Sequence, residues 1–416
     1  MTTLATHIDR SLAQTCRVTG RWKQRLESAK LGMARIAESL DFCARGVFHV
    51  WRNRQYLTLL KLANMAWVNV QFIFKTERVI GRPYSMKIES TNICNTKCQL
   101  CPTGIGLKGR SKGRMSFEQY ASLIGQLKWH LRDLDLSMWG DPLIVPDIYK
   151  MIRHAHDHRI WTYISSNLHA FKIQTPKNAD KDQATQLVES GLDLMTCSLH
   201  GATQDTYEHY QPGKKLDEAI DKIRHIIATR DRLGRSTPQV QLNFVVTRHN
   251  EHEIESFEKL ANELGCKAVF SAASMNARFQ DQDQNLVSLG LADDVKKDKI
   301  KTHLQQWLPQ KQRDYVFEPY VKMAQDGIVP GEKYNGSKAF NCSWPWRQSV
   351  INWDGQVVTC CGNYDPKEDL GNVFDHSFAK VWNGRKYRMA RRSFKKPVSN
   401  DDAHNNACAS CPGFML

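Results

Sequence analysis

Three cysteines within eight residues, Cys94, Cys98 and Cys101, constrain this chain more than any other feature. The C-x3-C-x2-C spacing brings three thiolates to one side of a tight loop, which suits a cubic [4Fe–4S] cluster with one iron left open. An iron with an open position can bind and activate a small molecule, whereas a fully ligated cluster only passes electrons. Zinc is the alternative metal, although it favours C-x2-C pairs and a nearby fourth Cys or His.

The chain has 416 residues, more than one average core needs, so two or three domains are expected. Its 41% hydrophobic and 24% charged content is typical of a globular protein and argues against disorder. Residues 1–30 carry no apolar run typical of a secretory signal. The twelve cysteines fall mainly into a triplet, a pair and a CxxC, which favours metal ligation in a reducing cytoplasm over disulfides.

Residues 1–80 are predicted to form a basic helical extension. They hold thirteen Lys and Arg against five Asp and Glu, and so supply +8 of the net charge of +15. Such a balance attracts polyanions such as RNA, anionic lipid or phosphorylated substrates, and the alternative is an ordinary solvated basic helix face. The apolar stretch 56–74 is diluted by three amides, so a buried helix or a peripheral membrane contact is favoured over a span. No signature of a nucleic-acid-binding fold is present, and we expect no nucleic acid partner.

From residue 81 to 272 the pattern alternates between strands and helices. Six βα units in series predict a parallel sheet curved into a partial (β/α)6 barrel, similar to a TIM barrel. The predicted strands are 84–90, 134–138, 161–165, 192–198, 240–247 and 267–271. Such folds carry their chemistry on loops after the carboxyl ends of strands, which is where the cysteine triplet lies.

The remaining chain divides into a linker and a small module. Residues 273–340 are polar and irregular, with helices predicted near 292–308 and 314–326. Within 341–416, residues 349–360 predict a hairpin that turns at Asp354-Gly355, and a helix is predicted near 377–391. The cysteines of this module predict a second metal site, and both iron–sulfur and zinc suit the four thiols. They are Cys342, Cys360, Cys408 and Cys411.

The triplet and the segments after the next strands resemble the radical S-adenosylmethionine (SAM) superfamily. Trp139-Gly140-Asp141-Pro142 follows the second strand, where the superfamily has a glycine-rich acidic turn that meets the amino end of SAM. This chain has Asp141 where Glu is usual. Ser165-Ser166-Asn167 and Ser198-Leu-His200-Gly-Ala follow the third and fourth strands. The resemblance implies that these residues contact SAM: Leu100, Gly140, Asp141, Ser166, Asn167 and Ser198.

The C-terminal cysteines resemble the auxiliary-cluster modules called SPASM and twitch. The seven-cysteine SPASM pattern holds two clusters, and this chain lacks the further ligands. The resemblance therefore implies one auxiliary [4Fe–4S] cluster, with the four cysteines of the module as its ligands. Four thiolates close such a cluster to substrate, which leaves it electron transfer or a structural role.

The resemblance also implies an enzyme. An external one-electron donor such as flavodoxin or ferredoxin reduces the cluster on the triplet, and SAM is cleaved to methionine and a 5′-deoxyadenosyl radical that abstracts hydrogen from the substrate. Oxidation of a sugar, cyclitol or related polar molecule is the leading expectation. The alternative is a peptide maturase that forms a crosslink or epimer, and a non-catalytic iron–sulfur electron carrier is a distant one.

Three further residues are candidates for moving protons or hydrogen atoms. His200 stands where relatives have Asp, and a histidine near a substrate can move a proton. Cys197 and Cys361 are thiols that can donate a hydrogen atom to a substrate radical. The alternatives are a hydrogen-bonded loop residue for His200, a core cysteine for Cys197 and a spare thiol or cluster ligand for Cys361.

Overall fold

A parallel sheet forms the centre of the fold. The computed structural model describes residues 54–174, 181–275, 293–317, 320–321, 342–395 and 406–411. The predicted βα series supplies β1 (Ser85–Ile88), β2 (Asp133–Asp135), β3 (Trp161–Ser166), β4 (Leu194–Ser198), β5 (Gln239–Val246) and β6 (Lys267–Ala272). Each of these strands pairs in parallel with the next one along the chain. The predicted parallel α/β architecture is confirmed, although β2 is shorter than expected.

Helices connect the strands, and some of them begin at a residue whose side chain caps the first turn. Ser116 caps the helix after β1 by accepting from the N–H of Gln119 at 3.2 Å, and the Gln119 side chain accepts from the N–H of Ser116 at 3.0 Å. This reciprocal capping box was predicted from the sequence. The helices of the first part are α1 (Leu59–Ile73), α2 (Phe117–Leu127), α3 (Ile148–Asp157), α4 (Gln183–Glu189), α5 (Gln204–Tyr210), α6 (Leu216–Arg232), α7 (Ile254–Glu263) and α8 (Asp293–Trp307).

The sheet has one apolar and one polar face, because successive side chains of a strand point to opposite sides. The helix-covered face holds buried residues such as Met86, Leu134 and Ile164 in one continuous core. The other face carries Lys87, Asp135, Tyr163, Ser165, Ser198 and Asn243, and we call it the polar face. Strand register sets Lys87 beside Asp135 and Asp135 beside Tyr163, and Lys87 forms an ion pair with Asp135.

The C-terminal module extends the same sheet. Strands β7 (Gln348–Ile351) and β8 (Val357–Val358) form the predicted antiparallel hairpin. Strand β7 also pairs in parallel with β1, so the order is β6-β5-β4-β3-β2-β1-β7-β8. The helices of this module are α9 (Trp344–Arg347), α10 (Phe378–Trp382), α11 (Arg385–Arg392) and α12 (Ala407–Ser410). Strand β7 therefore joins the module to the strand that leads into the triplet, and Cys360 follows β8 by two residues.

Other predicted elements agree in part. The helix expected near 377–391 is divided into α10 and α11 at Asn383, whose side chain accepts from the N–H of Val79 at 3.0 Å and donates to its carbonyl at 2.7 Å. Helix α8 matches the prediction for 292–308, whereas most of 314–326 and all of 1–53 lie outside the described residues. No helix in the described ranges is long and apolar enough to cross a membrane. The proposed domain boundaries stay predictions.

Candidate functional site

The triplet lies on a loop that folds back on itself after β1. The N–H of Cys101 donates to the carbonyl of Cys98 at 3.2 Å, and the N–H of Ile105 donates to the carbonyl of Cys101 at 2.9 Å. Gly104 permits this return, because a Cβ there would lie 2.3 Å from the Cys98 carbonyl oxygen. Thr96, within the motif, has its hydroxyl 3.1 Å from the Cys94 sulfur and 3.5 Å from the Cys98 sulfur. One short loop therefore gathers the three thiols.

The donor set of this loop fits an iron–sulfur cluster. Burial and the neighbouring charge of Cys98 together raise the pKa of Cys101 to about 12. Burial likewise raises the pKa of Cys98. Buried thiols in such a group ionise readily only when a metal supplies compensating positive charge. Within the described ranges no group of three His, Cys, Asp or Glu is close enough to hold a single metal ion, whereas a cubane is larger and takes one thiolate per iron.

Two amide side chains donate into the cysteine loop. The Asn167 amide nitrogen lies 3.0 Å from the Asn95 side-chain oxygen and 3.5 Å from the Cys94 sulfur. The Gln211 amide nitrogen lies 3.8 Å from the Cys98 sulfur. Asn167 was predicted as a SAM contact from its place after β3, whereas Gln211 was missed because it follows a helix with no motif of its own. Donors near thiolate sulfur favour the charged form that binds iron.

The turn after β2 packs directly on the loop. A Cβ on Gly140 would lie 2.2 Å from the Thr91 carbonyl oxygen and 2.7 Å from that of Ile93, so only glycine fits this approach. The N–H of Asp141 donates to the same Ile93 carbonyl at 3.0 Å. The predicted SAM-side turn is thus fixed against the residues that precede Cys94.

The Asp141 carboxylate is occupied by internal donors. It accepts from the Ser166 hydroxyl at 2.9 and 3.0 Å, from the N–H of Asn167 at 2.9 Å and from the N–H of Leu143 at 2.9 Å. Burial raises its pKa, and these hydrogen bonds oppose the rise. The carboxylate therefore clamps the turn after β2 to the end of β3. Contacts of Asp141 and Ser166 with SAM stay predictions.

The remaining predicted SAM contacts lie on two surfaces. Ser198 is on the polar face, where its hydroxyl lies 3.2 Å from that of Ser165. Leu100 is buried in a second small apolar cluster with Tyr210, Met275 and Trp307. The structure thus brings Ser198 to the face opposite the helices. Leu100 is part of the cysteine loop itself, and its side chain anchors that loop in the small apolar cluster.

His200 is buried and held by the backbone. Its Nδ1 accepts from the N–H of Val245 at 3.1 Å, and its ring centroid lies 4.5 Å from that of Tyr210. Burial lowers its pKa to about 3, so the imidazole is neutral at ordinary pH. Its carbonyl accepts from the Asn250 amide at 2.9 Å. These contacts suit a positioning role for the loop, and proton transfer by His200 stays a prediction.

The two candidate thiols lie in different surroundings. Cys197 is fully buried among apolar residues on the helix-covered face, where burial raises its pKa. Cys361 is close enough to Lys87 and Asp135 for their charges to act on it. Burial raises its pKa, and the Lys87 charge opposes the rise. The structure therefore sets Cys361, and not Cys197, beside the polar face.

The four auxiliary cysteines come together from distant parts of the module. Burial raises the pKa of Cys360, and the charges of Cys361, Cys408 and Cys411 raise it further. Burial also raises the pKa of Cys342 to about 11, with a contribution from Cys411. Burial lowers the pKa of the Arg391 guanidinium to about 9, and the charges of Tyr387 and Cys408 oppose the fall; sequence reasoning did not identify this arginine. Four neighbouring thiols suit a closed cluster, and a cation beside them offsets its negative charge.

Buried polar contacts join the triplet loop to the auxiliary module. The Arg110 guanidinium forms two hydrogen bonds with the Asp369 carboxylate, at 2.6 and 3.2 Å. Its Nε donates to the Tyr364 carbonyl at 2.7 Å. The Tyr364 ring meets the Trp139 ring edge-on, with centroids 5.7 Å apart. The module is therefore tied to both the cysteine loop and the turn after β2.

Family models match both parts of this arrangement. A model described as the radical SAM superfamily matches residues 88–261, and one described as an iron–sulfur cluster-binding domain, SPASM, matches residues 342–412. The chain belongs to the radical SAM superfamily and carries a C-terminal SPASM domain. It is a C–H-activating enzyme, and its cofactors are SAM and [4Fe–4S] clusters.

Individual proteins are similar over longer stretches. Mycofactocin maturase MftC of Mycobacterium tuberculosis (strain CDC 1551 / Oshkosh) is 24% identical over 347 residues, which cover 82% of this chain and 78% of MftC. PqqA peptide cyclase of Ruegeria pomeroyi is 29% identical over 204 residues, 46% of this chain and 47% of the cyclase. The structure of Streptococcus suis SuiB bound to precursor peptide SuiA aligns with a TM-score of 0.51 at 13% identity, covering 84% of this chain and 75% of SuiB. The SuiB likeness shows the fold.

Proposed function

We propose that this protein is a peptide maturase that removes hydrogen from a residue of a ribosomally made peptide. The observation that carries the proposal is the similarity to mycofactocin maturase, which extends over 82% of this chain and 78% of the maturase. The names of PqqA peptide cyclase and of the SuiB complex with its precursor peptide point the same way. These relatives favour a peptide over the sugar or cyclitol that the sequence led us to expect first.

In this proposal the clusters supply the redox chemistry, and residues of the chain position the cysteine loop. When bound, the cluster on the triplet supplies the electron that cleaves SAM to methionine and a 5′-deoxyadenosyl radical, and the auxiliary cluster supplies an electron acceptor. Thr96, Asn167 and Gln211 hold the cysteine loop in shape through their hydrogen bonds to its sulfurs and amide. Gly140 lets the turn after β2 approach that loop.

The polar face suits a hydrogen-bonding substrate. Besides the Ser165–Ser198 contact, the Gln241 amide donates to the Thr196 hydroxyl at 2.9 Å, and the Ser271 hydroxyl donates to the Asn243 side chain at 2.8 Å. A peptide main chain brings one donor and one acceptor per residue to such a surface. Sugars also carry many hydroxyls, so the polar face by itself indicates only a polar substrate. The similarity to peptide-modifying proteins is what favours a peptide.

The fate of the substrate radical follows from hydrogen balance. A crosslink forms when the peptide loses two hydrogens, one as an atom to the 5′-deoxyadenosyl radical and one as a proton, with the remaining electron passed to an acceptor. Epimerisation instead returns a hydrogen atom to the peptide and leaves its mass unchanged. The four-thiolate set provides for an acceptor, so we propose the oxidative outcome. For epimerisation we propose Cys361, on which the charges of Lys87 and Asp135 act, as the hydrogen-atom donor.

The first test is SAM cleavage. The protein is reconstituted without oxygen, reduced with dithionite and given SAM, and 5′-deoxyadenosine is measured. We expect release from the wild type and from Cys266→Ala, which removes a buried thiol outside both sets, but none from Cys98→Ala. Iron of about eight atoms per chain, falling to about four in Cys408→Ala, supports two cubanes. Intact clusters without 5′-deoxyadenosine would indicate an electron carrier instead.

The second test is the substrate. Synthetic peptides encoded by short reading frames beside the gene are incubated with the active enzyme, and an aminocyclitol serves as the competing substrate. Loss of two hydrogens from a peptide supports the proposal. Oxidation of the cyclitol with every peptide unchanged contradicts it. A peptide whose mass is unchanged in H2O but which gains one deuterium in D2O, and no longer does so with Cys361→Ala, identifies epimerisation.

A further inference from the structure

Helix α1 buries polar side chains and exposes apolar ones, which is the reverse of an ordinary surface helix. Its buried positions include the polar residues Lys61, Asn64 and Gln71, together with Val68. Its exposed positions are mostly large and apolar. An amphipathic surface helix normally shows the reverse, with apolar residues against the core.

Hydrogen bonds hold the helix in this orientation. The Asn64 side chain donates to the Arg82 carbonyl and accepts from its N–H, both at 2.9 Å. The Gln71 side chain accepts from the N–H of Gly81 at 2.9 Å, and the Lys61 ammonium donates to the Arg159 carbonyl. Rotation of the helix would leave these buried groups without partners, at a cost that apolar burial does not readily offset. The outward apolar face is therefore built into the fold.

The exposed side chains form one continuous stripe. Leu59 is 86% exposed, Ile73 69% and Trp67 48%. Residues three, four and seven apart lie on one side of a helix, so the exposed apolar residues share a single face. We call this the apolar face of α1, formed by Leu59, Leu62, Trp67, Val70, Ile73 and Phe74. A helix of 15 residues is about 22 Å long, which is too short to cross a bilayer but long enough to lie on one.

Positive charge adjoins the end of this face. Arg78 is exposed five residues after the helix ends. Arg392 of α11 pairs with Glu77 at 2.8 Å and so brings α11 to the same end. Arg388 lies one turn earlier on that helix and is also exposed. An apolar stripe that contains a Trp and has cations beside it is the pattern of a helix lying in the interface of an anionic membrane.

We infer that the apolar face of α1 docks this enzyme on an anionic lipid surface. A second copy of the chain is the main alternative occupant. A two-fold contact pairs this face with itself, and the face holds no carboxylate to meet the cations of the other copy. Each chain also carries a net charge of +15, which opposes self-association and favours an anionic surface.

The test uses the full chain and vesicles in a flotation assay. Vesicles of phosphatidylcholine with an equal amount of phosphatidylglycerol are compared with phosphatidylcholine alone. We expect binding to the anionic vesicles, and at least a tenfold loss of binding in the triple variant Leu59→Gln, Val70→Gln and Ile73→Gln. Trp129→Gln removes an exposed aromatic residue that is not part of the apolar face of α1 and should bind as the wild type does. Arg388→Glu should reduce the preference for the anionic vesicles.

Other results would overturn the inference. They are absence of wild-type binding, equal binding by the triple variant, or equal binding to both vesicle types. A dimer in lipid-free solution that the triple variant converts to a monomer would assign the face to a second copy. The melting temperature of the triple variant should match the wild type, because all three side chains are exposed, and a matched value confirms that lost binding is not lost folding. Release of 5′-deoxyadenosine without vesicles provides an independent measure of the active site.

Discussion

Glu89, which follows β1, accepts a hydrogen bond of 3.3 Å from the backbone N–H of Trp353 in the C-terminal hairpin. Its second oxygen accepts from the N–H of Trp139, after β2, also at 3.3 Å. Burial raises the pKa of this carboxyl from an ordinary 4.5 to about 7, against the effect of both hydrogen bonds. One carboxyl group thus links the first strand, the turn after β2 and the auxiliary module, and burial makes its charged form unfavourable.

Glu89→Gln should stabilise the protein at pH 8. The folded state holds the Glu89 proton more tightly than the unfolded state does, so this group lowers stability as pH rises from about 4.5 to 7. Glutamine removes the charge and keeps one accepting oxygen, but its NH2 group cannot accept from the second backbone N–H, which reduces the gain. We expect a gain of about 1–3 kcal/mol at pH 8 that shrinks towards pH 5, measured by thermal unfolding across that range. Glu258→Gln, on an exposed position of α7, should change little, and an unaltered pH profile in Glu89→Gln would refute the prediction.

Gly140→Ala should disturb the cysteine loop. The added Cβ would meet the carbonyl oxygens of Thr91 and Ile93 at 2.2 and 2.7 Å, and backbone atoms cannot move aside cheaply. We expect a loss of about 2 kcal/mol or more and at least a tenfold drop in 5′-deoxyadenosine release. Gly125→Ala is the matched control, because nothing lies within 4 Å of its Cβ and alanine favours the helix. Equal stability and equal 5′-deoxyadenosine release in the two variants would show that the turn does not need the close contact between Gly140 and the carbonyls of Thr91 and Ile93.

Arg110→Ala should loosen the auxiliary module from the triplet loop. It leaves the Asp369 carboxylate, 12% exposed, without its bidentate partner. Breaking such a buried pair costs about 3–5 kcal/mol. Arg224→Ala removes one partner of an exposed pair, 62% exposed on each side, and should cost less than about 1 kcal/mol. Urea denaturation and limited proteolysis of residues 104–113 measure the two effects, and similar losses in both variants would contradict the assignment.

Asn167→Asp should reduce iron loading more than Asn167→Ala. The aspartate keeps an oxygen for the N–H of His169, which Asn167 accepts at 2.8 Å, but it turns a carboxylate towards Asn95 and Cys94. Negative charge beside thiolates opposes their ionisation and hence metal binding. Iron per chain after anaerobic reconstitution is the readout. Asn262→Asp, at an exposed position of α7, should bind as much iron as the wild type does. A lower iron content in Asn167→Ala than in Asn167→Asp would count against the hydrogen-bond role.

Local signals predicted the parts of the site that depend on spacing. The C-x3-C-x2-C motif, the capping box at Ser116 and the βα series each depend on neighbouring residues, and the structure confirms the capping box and the series. The hairpin around Gly355 follows the same logic. Where short-range geometry decides the outcome, the sequence alone is sufficient.

Long-range pairing decided what could not be predicted. Lys87 and Asp135 look like exceptions within apolar strands, and only the register of β1 and β2 makes them partners. Asp141 carries a carboxylate, which is the group that binds an ammonium. That carboxylate already accepts hydrogen bonds from Ser166 and from backbone donors. The inversion of α1 was also hidden, because periodicity gives the width of an apolar stripe but not which side meets the core.

The pairing of β7 with β1 has a consequence for how the chain folds. Strand β1 is synthesised early, yet one of its two hydrogen-bonding edges is covered only when Gln348–Ile351 arrive. Until then a ribosome-bound intermediate presents an open strand edge, which is a template for aberrant association. Closing so distant a contact is also slow. Truncations that stop before the hairpin should therefore yield aggregates rather than a shorter, independently stable enzyme.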